Sequence, residues 1–461
     1  MRDALFALVA LLLAPAATSA QLISIRTIPV AAGDQFQLFP SQTAGMGGVS
    51  IAIDDPLHDP FVNPAKGARI TTLRFLTSPT FYDITSGHGR TFSLPVSLLA
   101  RSGRWFGGGG VAMQQLESGR RFRAWGALPD RAHSNIYAYG FGGWTLPGGT
   151  VSLGASAFVS DLSAVDGVAL MYPRSIEIDQ SGTSMDFRIA MLAELGGDRS
   201  LEAIFFHDRL SMTHDVTYAN PARRVSADPE TIRETNLDRT NTWGLHLGYV
   251  QAVGEHWRLG GILTGNFQSH PKIPNYDLSG LARDPGPGTS WAYNIGAGIT
   301  RVIGPATVAL EAIFEPIRTH TWAEADAPAG SKTVDNRFTF ANAIFRLGAD
   351  RDMGTASLQL GLELRSVNYR LVQQDRLQGT VRRQSEHWLE WAPTVGATVR
   401  FPQFDLHYAG RLTIGRGQPF LRSRRQGVPV LQGFLLAPGG ALSLADALVH
   451  THQLTVSLPI G

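Results

Sequence analysis

The sequence predicts an all-β fold, a closed antiparallel β-barrel that crosses a membrane. Three observations predict it: apolar and polar residues alternate along many segments, short turn signals recur about every 50 residues, and the polar side of the segments carries charged groups. The composition agrees, because 17% charged residues is few for a surface wholly in contact with water. The net charge of +2 gives no basic footprint, so no nucleic-acid partner is expected.

Segment 355–367 shows the alternation most clearly. Successive side chains of a β-strand point to opposite faces. The two faces of this segment hold Leu358, Leu360, Leu362 and Leu364 on one side, and Gln359, Gly361, Glu363 and Arg365 on the other. The same alternation recurs at residues 242–250, 257–267, 291–300, 307–315, 389–401, 405–414 and 453–460. These segments are therefore expected to be strands with one apolar face.

Short and long connections alternate between the segments. The short turn signals lie at residues 146–149, 196–198, 253–256, 303–305, 350–352 and 401–404. Longer polar or proline-rich connections are expected at residues 219–238, 268–289, 321–333 and 417–450. Tight turns at one end and long loops at the other are typical of outer-membrane barrels. Counting hairpins from Arg69 to Ile460 gives about sixteen strands, with both termini at the short-turn end.

A soluble β-sandwich is the alternative to a membrane barrel. The apolar alternation lasts for about 8–11 residues, which matches a tilted membrane-crossing strand. Aromatic residues at strand ends suit the membrane interface, namely Trp243, Tyr249, Trp257, Trp291 and Trp391. The polar face carries charges that a dry core would penalise and a wet lumen would accept, namely Arg188, Glu194, Glu311, Glu363, Arg365 and Arg411. The apolar face is therefore expected to contact lipid.

The N-terminus predicts a secretory signal peptide at residues 1–20. Ala4 to Leu13 form an apolar core too short to span a bilayer, and small residues precede Gln21. Beyond residue 20, no window of about 18 apolar residues occurs.

Residues 41–70 carry a motif of glycine, acidic and Asn-Pro elements ahead of the first strand. The elements are Gly45-Met46-Gly47-Gly48, Asp54-Asp55, and Asn63-Pro64-Ala65 with Gly67. This pattern resembles that of the FadL-type outer-membrane transporters and their PorV-like relatives. The resemblance implies a fourteen-stranded barrel at residues 69–461 and an N-terminal plug or hatch at residues 21–68 inside it. It also implies passive uptake of hydrophobic molecules, such as long-chain fatty acids.

The motif residues have two interpretations. Gly45, Gly47 and Gly48 suit close backbone packing or a positive φ. Asp54 and Asp55 suit turn caps or ion pairs with lumenal arginines. Asn63-Pro64 suits the start of a turn. In the first interpretation, these residues only fold the plug. In the second, they also gate the path of the substrate.

The sequence shows no catalytic constellation, and no cofactor or metal is expected. Cysteine is absent, as are a GxSxG elbow and a P-loop. Two histidine clusters are candidate metal sites. His58 lies among aspartates, and His450 and His452 share one strand face, but neither set has a further ligand in sequence. A structural role is favoured for His58, and a position at the aqueous rim for His450 and His452. Arg422, Arg424 and Arg425 could touch lipopolysaccharide, although a solvated loop is the simpler interpretation.

The expected function is passive uptake of hydrophobic small molecules across the outer membrane of a Gram-negative-type bacterium. A kink in a wall strand provides a lateral exit in the family, and Pro393 is a candidate for it. The alternatives are a PorV-like scaffold that binds a secreted or periplasmic protein, and a general porin. The expected partners are outer-membrane lipid, lipopolysaccharide and a hydrophobic ligand.

Overall fold

A computed structural model describes most of the chain. The described residues are 38–84, 89–117, 132–164, 175–219, 231–270, 275–276, 282–283, 288–324, 332–376, 379–420 and 443–460. The predicted signal peptide lies outside these ranges, as do Arg422, Arg424 and Arg425. No helix in the described ranges is long and apolar enough to cross a membrane.

Nineteen strands follow three short helices in the described residues. The helices are a 3₁₀ helix at Ala44–Met46, α1 at Asp59–Val62 and a 3₁₀ helix at Pro64–Arg69. The strands are β1 Leu73–Thr77, β2 Thr80–Ile84, β3 Gly89–Ser102, β4 Trp105–Glu117, β5 Ala132–Thr145, β6 Val151–Leu162, β7 Ser175–Glu194, β8 Arg199–Ala219, β9 Thr231–Val253, β10 Trp257–His270, β11 Asn275–Tyr276, β12 Ala282–Arg283, β13 Gly288–Ile303, β14 Ala306–Glu324, β15 Lys332–Asp352, β16 Ala356–Asp375, β17 Thr380–Arg400, β18 Asp405–Phe420 and β19 Ser443–Ile460.

The sheet closes into an antiparallel barrel of 16 strands. β1 and β2 are two halves of one barrel strand, because both pair with β3 on one side and with β19 on the other. β11 and β12 pair only with each other, outside the barrel wall. The count of sixteen from the sequence is confirmed, whereas the fourteen strands that the resemblance implies do not describe this chain.

The apolar face of the strands points outward. Leu358 and Leu360 are 56% and 46% exposed, whereas Gly361 lies against the N-terminal segment. On β14, Leu310 is 50% exposed and its neighbour Glu311 is 1% exposed. The alternation therefore separates an outer apolar surface from an inner polar one, as the sequence predicts.

Large apolar and aromatic residues form a continuous outer band, here called the apolar band. On β9 the band runs from Trp243 to Tyr249, and on β13 from Trp291 to Ile295. Trp105 and Trp257 lie on the same outer surface beside short turns. The height of the band fits the roughly 9–11 tilted residues that cross a bilayer.

The strands are longer than the sequence predicts. β9 has 23 residues and β15 and β17 have 21 each, against the expected 8–11 or so. The extra length lies at the long-connection end, where β8 and β9 stay paired up to Ala219 and Thr231. Alternation marks only the part of a strand with one apolar face, whereas backbone pairing continues where both faces are polar. The expected long connections at residues 219–238 and 321–333 are accordingly wrong in extent.

The short turns lie close to their expected positions, with two exceptions. β15 continues to Asp352, so its turn lies at residues 353–355, not 350–352, with Gly354 at φ 86°. A further turn at Gly103 joins β3 to β4 and has no strong signal in the sequence. Eight of the connections lie at the opposite end, and most of them are longer; those between β2 and β3 and between β16 and β17 span only four residues.

Two prolines interrupt the wall differently. Pro393 lies in β17, where pairing with β18 skips Ala392 and Pro393 but resumes in the same register. The dipeptide Ser78–Pro79 separates β1 from β2 completely, and its register against β3 also continues unchanged. Proline lacks the N–H group that a ladder needs, so both sites lose pairing.

Candidate functional site

The candidate site is the contact between the barrel wall and residues 38–68, the described part of the predicted plug. The first 3₁₀ helix contacts β15, β16, β17 and β18, while the second contacts β3 to β7. A segment that contacts opposite walls of a closed barrel crosses its interior. We call residues 38–68 the plug segment from here on.

The glycines of the motif pack directly on the wall. Thr394 Oγ1 accepts a hydrogen bond of 2.8 Å from Gly47 N and donates one of 2.9 Å to Gly45 O. A Cβ atom on Gly45 would lie 2.5 Å from the Cα of Gly396. Gly47 also has φ 74°, and a Cβ there would lie 2.9 Å from Leu347 O. Side chains at positions 45 and 47 would therefore push the plug segment away from β15–β17.

Glu311 anchors the next part of the plug segment. Its Oε1 atom accepts hydrogen bonds from the backbone N–H groups of Ser50 and Ile51. Arg346 lies 3.7 Å from Glu311 and 2.8 Å from Glu363. The carboxylate is therefore held between the plug backbone and a guanidinium inside the barrel.

A chain of ion pairs continues around this wall. Arg411 on β18 lies 2.7 Å from Glu363, and Arg365 lies 3.2 Å from Glu315. Glu315 is buried, and Arg365 is largely covered as well. The predicted lumenal charges Glu311, Glu363, Arg365 and Arg411 thus lie together on the inner face of β14–β18, and Arg346 and Glu315 complete the network.

Asp55 organises the plug segment internally. Its Oδ2 accepts hydrogen bonds from Ser41 Oγ at 2.7 Å and from Gln42 N at 2.8 Å. Its Oδ1 accepts from the N–H groups of Leu57 and His58, both at 3.1 Å. Such bonds cap a turn, so Asp55 shapes the plug segment and does not contact the wall arginines.

Asp54 instead joins the plug segment to two basic groups. Its carboxylate lies 2.7 Å from Arg69 Nη1 and 2.9 Å from Arg258 Nη1 on β10. Burial opposes ionisation, but the two guanidinium groups outweigh it and hold the pKa of Asp54 below its usual value. Arg69 also reaches the predicted residue Glu194 at 2.9 Å. These contacts lie at the short-turn end and are partly exposed.

The Asn63-Pro64 turn docks on β8. Asn63 Oδ1 accepts from Ala65 N at 3.0 Å and caps the second 3₁₀ helix, while Asn63 Nδ2 donates to Glu202 Oε2 at 2.7 Å. Lys66 lies 3.3 Å from Glu202 and 3.5 Å from Asp59. Pro64 occupies the first turn, where a missing N–H costs nothing.

Asp59 and Lys66 form an ion pair buried between the plug segment and the wall. Burial raises the pKa of Asp59 to about 6, although Lys66 pulls it down. Burial lowers the pKa of Lys66, but Asp59 and Glu202 outweigh burial and hold it above its usual value. Lys66 therefore stays charged near neutral pH, whereas Asp59 titrates a little below it.

Arg188 connects the plug segment to β7. The guanidinium binds both oxygens of Asp186, at 2.8 and 2.9 Å, and donates to Val62 O at 2.8 Å. Phe206 lies beneath it, with its ring centroid 5.7 Å from the guanidinium carbon. The plug segment is thus held by charged groups on two opposite walls.

An apolar cleft separates the plug segment from β3–β6. It contains about 20 Å³ of free space, room for about one water molecule, and none of the described residues that line it is charged. The plug contributes Leu38, Phe39 and Phe61, and the wall contributes Tyr139 and Phe158 among others. Phe39 stacks on Phe61 with ring centroids 4.4 Å apart. We call this space the apolar cleft.

A second space on the other side of the plug segment is polar. It contains about 180 Å³ and lies between Asp54 of the plug segment and β14–β18, where Asp350, Arg400, Asp405 and His407 line it. Lining of this kind retains water, whereas the apolar cleft suits an oily solute. The plug segment therefore divides the interior into a wet side and an apolar side.

The histidines considered from the sequence lie apart from this site. His58 donates its backbone N–H to Asp55, and His452 accepts or donates a hydrogen bond of 2.8 Å with Tyr408 on the outer surface. His452 therefore lies on the outer face of the wall, not at an aqueous rim. Within the described ranges, no three His, Asp or Glu side chains converge as a metal-binding group.

Several site residues were missed by sequence reasoning. Glu202 lies in the apolar run Leu201–Phe206 of β8, and its position opposite to the apolar face could have marked it as inward. The alternation also places Thr394 and Arg346 on the inward face, beside Val395 and between Phe345 and Leu347, but it does not show that they contact the plug segment. Their contacts depend on which strands the barrel brings opposite the plug segment.

Comparisons with known proteins give structural neighbours but no sequence relatives. No family model matches the chain, and no curated protein matches it. A Pseudomonas aeruginosa FadL homologue is similar in structure, with a TM-score of 0.47 and 12% identity over 92% of this chain and 99% of that one. The toluene transporter TbuX of Ralstonia pickettii has a TM-score of 0.43 and 10% identity over 92% and 100%.

A third neighbour is the FrpB iron transporter of Neisseria meningitidis, with a TM-score of 0.37 and 10% identity over 86% of this chain and 83% of that one. TbuX is a toluene transporter and FrpB an iron transporter, so these neighbours carry different cargoes. The function of the present chain is therefore inferred from its own residues.

Proposed function

We propose that this protein is an outer-membrane channel that passes hydrophobic small molecules through the apolar cleft. The apolar band contacts lipid, and the sixteen-stranded closure leaves no unpaired sheet edge in hydrocarbon. The long connections face the cell exterior and the short turns face the periplasm, as in other barrels of this kind. The outer membrane is the location that suits such a barrel.

The observation that carries the proposal is that the apolar cleft meets the wall at the Ser78–Pro79 interruption. Pro95 on β3 stands opposite this interruption and lines the cleft. The contact across it is long, with Ser78 N donating to Pro95 O at 3.4 Å. Leu38 of the plug segment lies just inside and accepts a hydrogen bond from Ser78 Oγ.

This arrangement supports a sideways route from the interior into the bilayer. Ser78 and Pro79 are missing from the ladders with both β3 and β19, so few backbone bonds hold the wall at this point. An oily solute in the cleft would leave through this part of the wall without crossing the polar space. Pro393, the candidate from the sequence, borders the polar side and is less suited to that route.

The general porin is the less supported alternative. The plug segment crosses the interior and is anchored on both walls, so the described residues leave no wide aqueous passage. A scaffold for a secreted or periplasmic protein is a further alternative, and the test below separates it.

Uptake by cells that lack other transporters for oily solutes tests the proposal. Ala112 is buried on the inner face of β4 and lines the cleft, so Ala112→Trp fills it. Ala312 lies on the outer face of β14, so Ala312→Trp is the matched control. Uptake of toluene or oleate is expected to fall at least roughly ten-fold with Ala112→Trp and to stay within about two-fold with Ala312→Trp.

Three results would overturn the proposal. Equal uptake by both variants and by cells without the protein excludes passage of these solutes. Free entry of small sugars into proteoliposomes indicates a porin. A protein that co-purifies in stoichiometric amount, without uptake, indicates a scaffold.

A further inference from the structure

The outer wall carries a group of arginines just beyond the apolar band. On four adjacent strands, β14 to β17, an exposed arginine follows the last outward leucine or phenylalanine toward the long-connection end. The pairs are Phe314 and Arg318, Phe345 and Arg337, Leu364 and Arg370, and Leu389 and Arg383. We call these four arginines the outer-wall patch.

Strand register brings the four arginines together. Arg318 is paired with Thr339, and Thr339 with Arg370, so the two arginines lie two strands apart in one row. Arg337 and Arg383 occupy the next row, each paired with Val372. Two strand spacings are about 10 Å, and diagonal neighbours are about 7–8 Å apart. The patch is therefore the size of one phosphorylated head group.

The patch has an excess of positive charge. Asp335 is its one carboxylate within the described residues, and Asp335 is already shared by Arg337 at 3.4 Å, Lys332 at 3.7 Å and His320 at 3.0 Å. Among the described side chains, Arg318, Arg370 and Arg383 form no ion pair with a carboxylate. Arginines that stay unpaired at such a spacing suit an external anion.

A part of the wall two strands away, β7–β9, provides a comparison on the same molecule. At the corresponding height, β7, β8 and β9 carry three outward arginines and three outward carboxylates, namely Arg209, Arg233, Arg239, Glu177, Asp179 and Asp215. Arg233 pairs with Asp215 at 3.1 Å. The charges balance there, so the excess on β14–β17 is local and not a general property of the outer rim.

We propose that the outer-wall patch binds the phosphate groups of an outer-leaflet lipid whose acyl chains lie on the apolar band below. Guanidinium groups bind phosphate oxygens through paired N–H donors. Basic residues beside a membrane attract anionic head groups. The proposal uses the membrane placement proposed above, but it concerns a wall site that is separate from the apolar cleft. It does not involve Arg422, Arg424 and Arg425, which lie outside the described residues.

Lipid retention by the purified full-length protein tests the site. The variant Arg318→Gln/Arg370→Gln removes one row of the patch, and Arg209→Gln/Arg239→Gln removes two outward arginines from the balanced wall. The probe is bis-phosphorylated lipid A in detergent, measured by native mass spectrometry. The patch variant is expected to lose roughly ten-fold or more in affinity, and the control variant less than about two-fold.

Two measurements on the unchanged protein keep the proposal testable if a variant fails to fold. Dephosphorylated lipid A is expected to bind at least roughly ten-fold more weakly, and retention of the phosphorylated form is expected to fall with added salt. Inorganic phosphate alone is expected to compete poorly, because it has no chains for the apolar band. Equal binding of both lipids, equal loss in both variants, or full competition by inorganic phosphate would overturn the proposal.

Discussion

Thr394 on the barrel wall binds the backbone of the plug segment at Gly47, with its Oγ1 atom 2.8 Å from the Gly47 nitrogen. The two residues are 347 positions apart in the chain. The same hydroxyl donates to Gly45 O, so one side chain holds two backbone groups in the C-terminal half of the first 3₁₀ helix. The position of the plug segment thus depends on close backbone contact with β15–β17 as much as on its ion pairs.

Substitution of Gly47 by alanine is expected to loosen the plug segment. Gly47→Ala places a Cβ 2.9 Å from Leu347 O in addition to the strain of φ 74°. Gly48→Ala is the matched control, because Gly48 has the same φ of 74° but its nearest neighbour lies 4.0 Å away. Gly47→Ala is expected to cost about 1–3 kcal/mol more than the control. Thermal unfolding and protease cleavage of the plug segment measure this difference. Equal destabilisation by Gly47→Ala and Gly48→Ala would show that backbone strain, not contact with Leu347, accounts for the effect.

Removal of the Glu311 charge is expected to destabilise the plug segment strongly. Glu311→Gln weakens the bonds from Ser50 and Ile51 and leaves Arg346 with one carboxylate fewer. Breaking a buried pair costs about 3–5 kcal/mol. Glu194→Gln, which removes a half-exposed partner of Arg69, is expected to cost less than about 1 kcal/mol. In planar bilayer recordings, Glu311→Gln is expected to show larger or more frequent conducting events than wild type. Conductance identical to that of wild type would count against Glu311 as an anchor of the plug segment.

The titration of Asp59 is expected to make the plug segment more stable in mild acid. The pKa of Asp59 is about 6 in the folded protein, against an ordinary value of 3.8. The docked state therefore binds a proton that the undocked state does not, and this contribution to stability grows as pH falls from about 7 toward 4. Asp59→Asn cannot titrate. The difference in Tm between wild type and Asp59→Asn is expected to shift in favour of wild type as the pH falls. A difference that does not change with pH would exclude this role.

Much of the wall could be predicted from sequence because one physical signal governs it. The alternation around Leu358 identifies the outward face, since lipid selects apolar side chains at every second position. The strand ends could not be predicted in the same way. Residues 231–241 of β9 are polar on both faces apart from Ile232 and Leu237, and backbone pairing with β8, supported by contacts such as Arg233–Asp215, keeps them in the sheet.

The plug contacts were predictable only in part. The glycines and Asn63-Pro64 of the motif carry turn and close-packing chemistry that is visible in sequence. Their partners were not, because Thr394, Arg346 and Glu202 reach the plug segment only through barrel closure and register. The gating role of Gly45, Gly47, Gly48, Asp54, Asp55, Asn63 and Pro64 remains a proposal.

Spin-label accessibility at two neighbouring positions of β16 tests the central claim most directly. The chain has no cysteine, so Leu360→Cys and Gln359→Cys each give a single label in reconstituted bilayers. Leu360 is exposed on the outer face, whereas Gln359 Nε2 donates to Gln42 O of the plug segment at 2.8 Å. The label at position 360 is expected to collide with lipid-soluble oxygen far more than with a water-soluble nickel reagent. A label at position 360 that favours the nickel reagent would contradict the lipid-facing barrel and everything inferred from it.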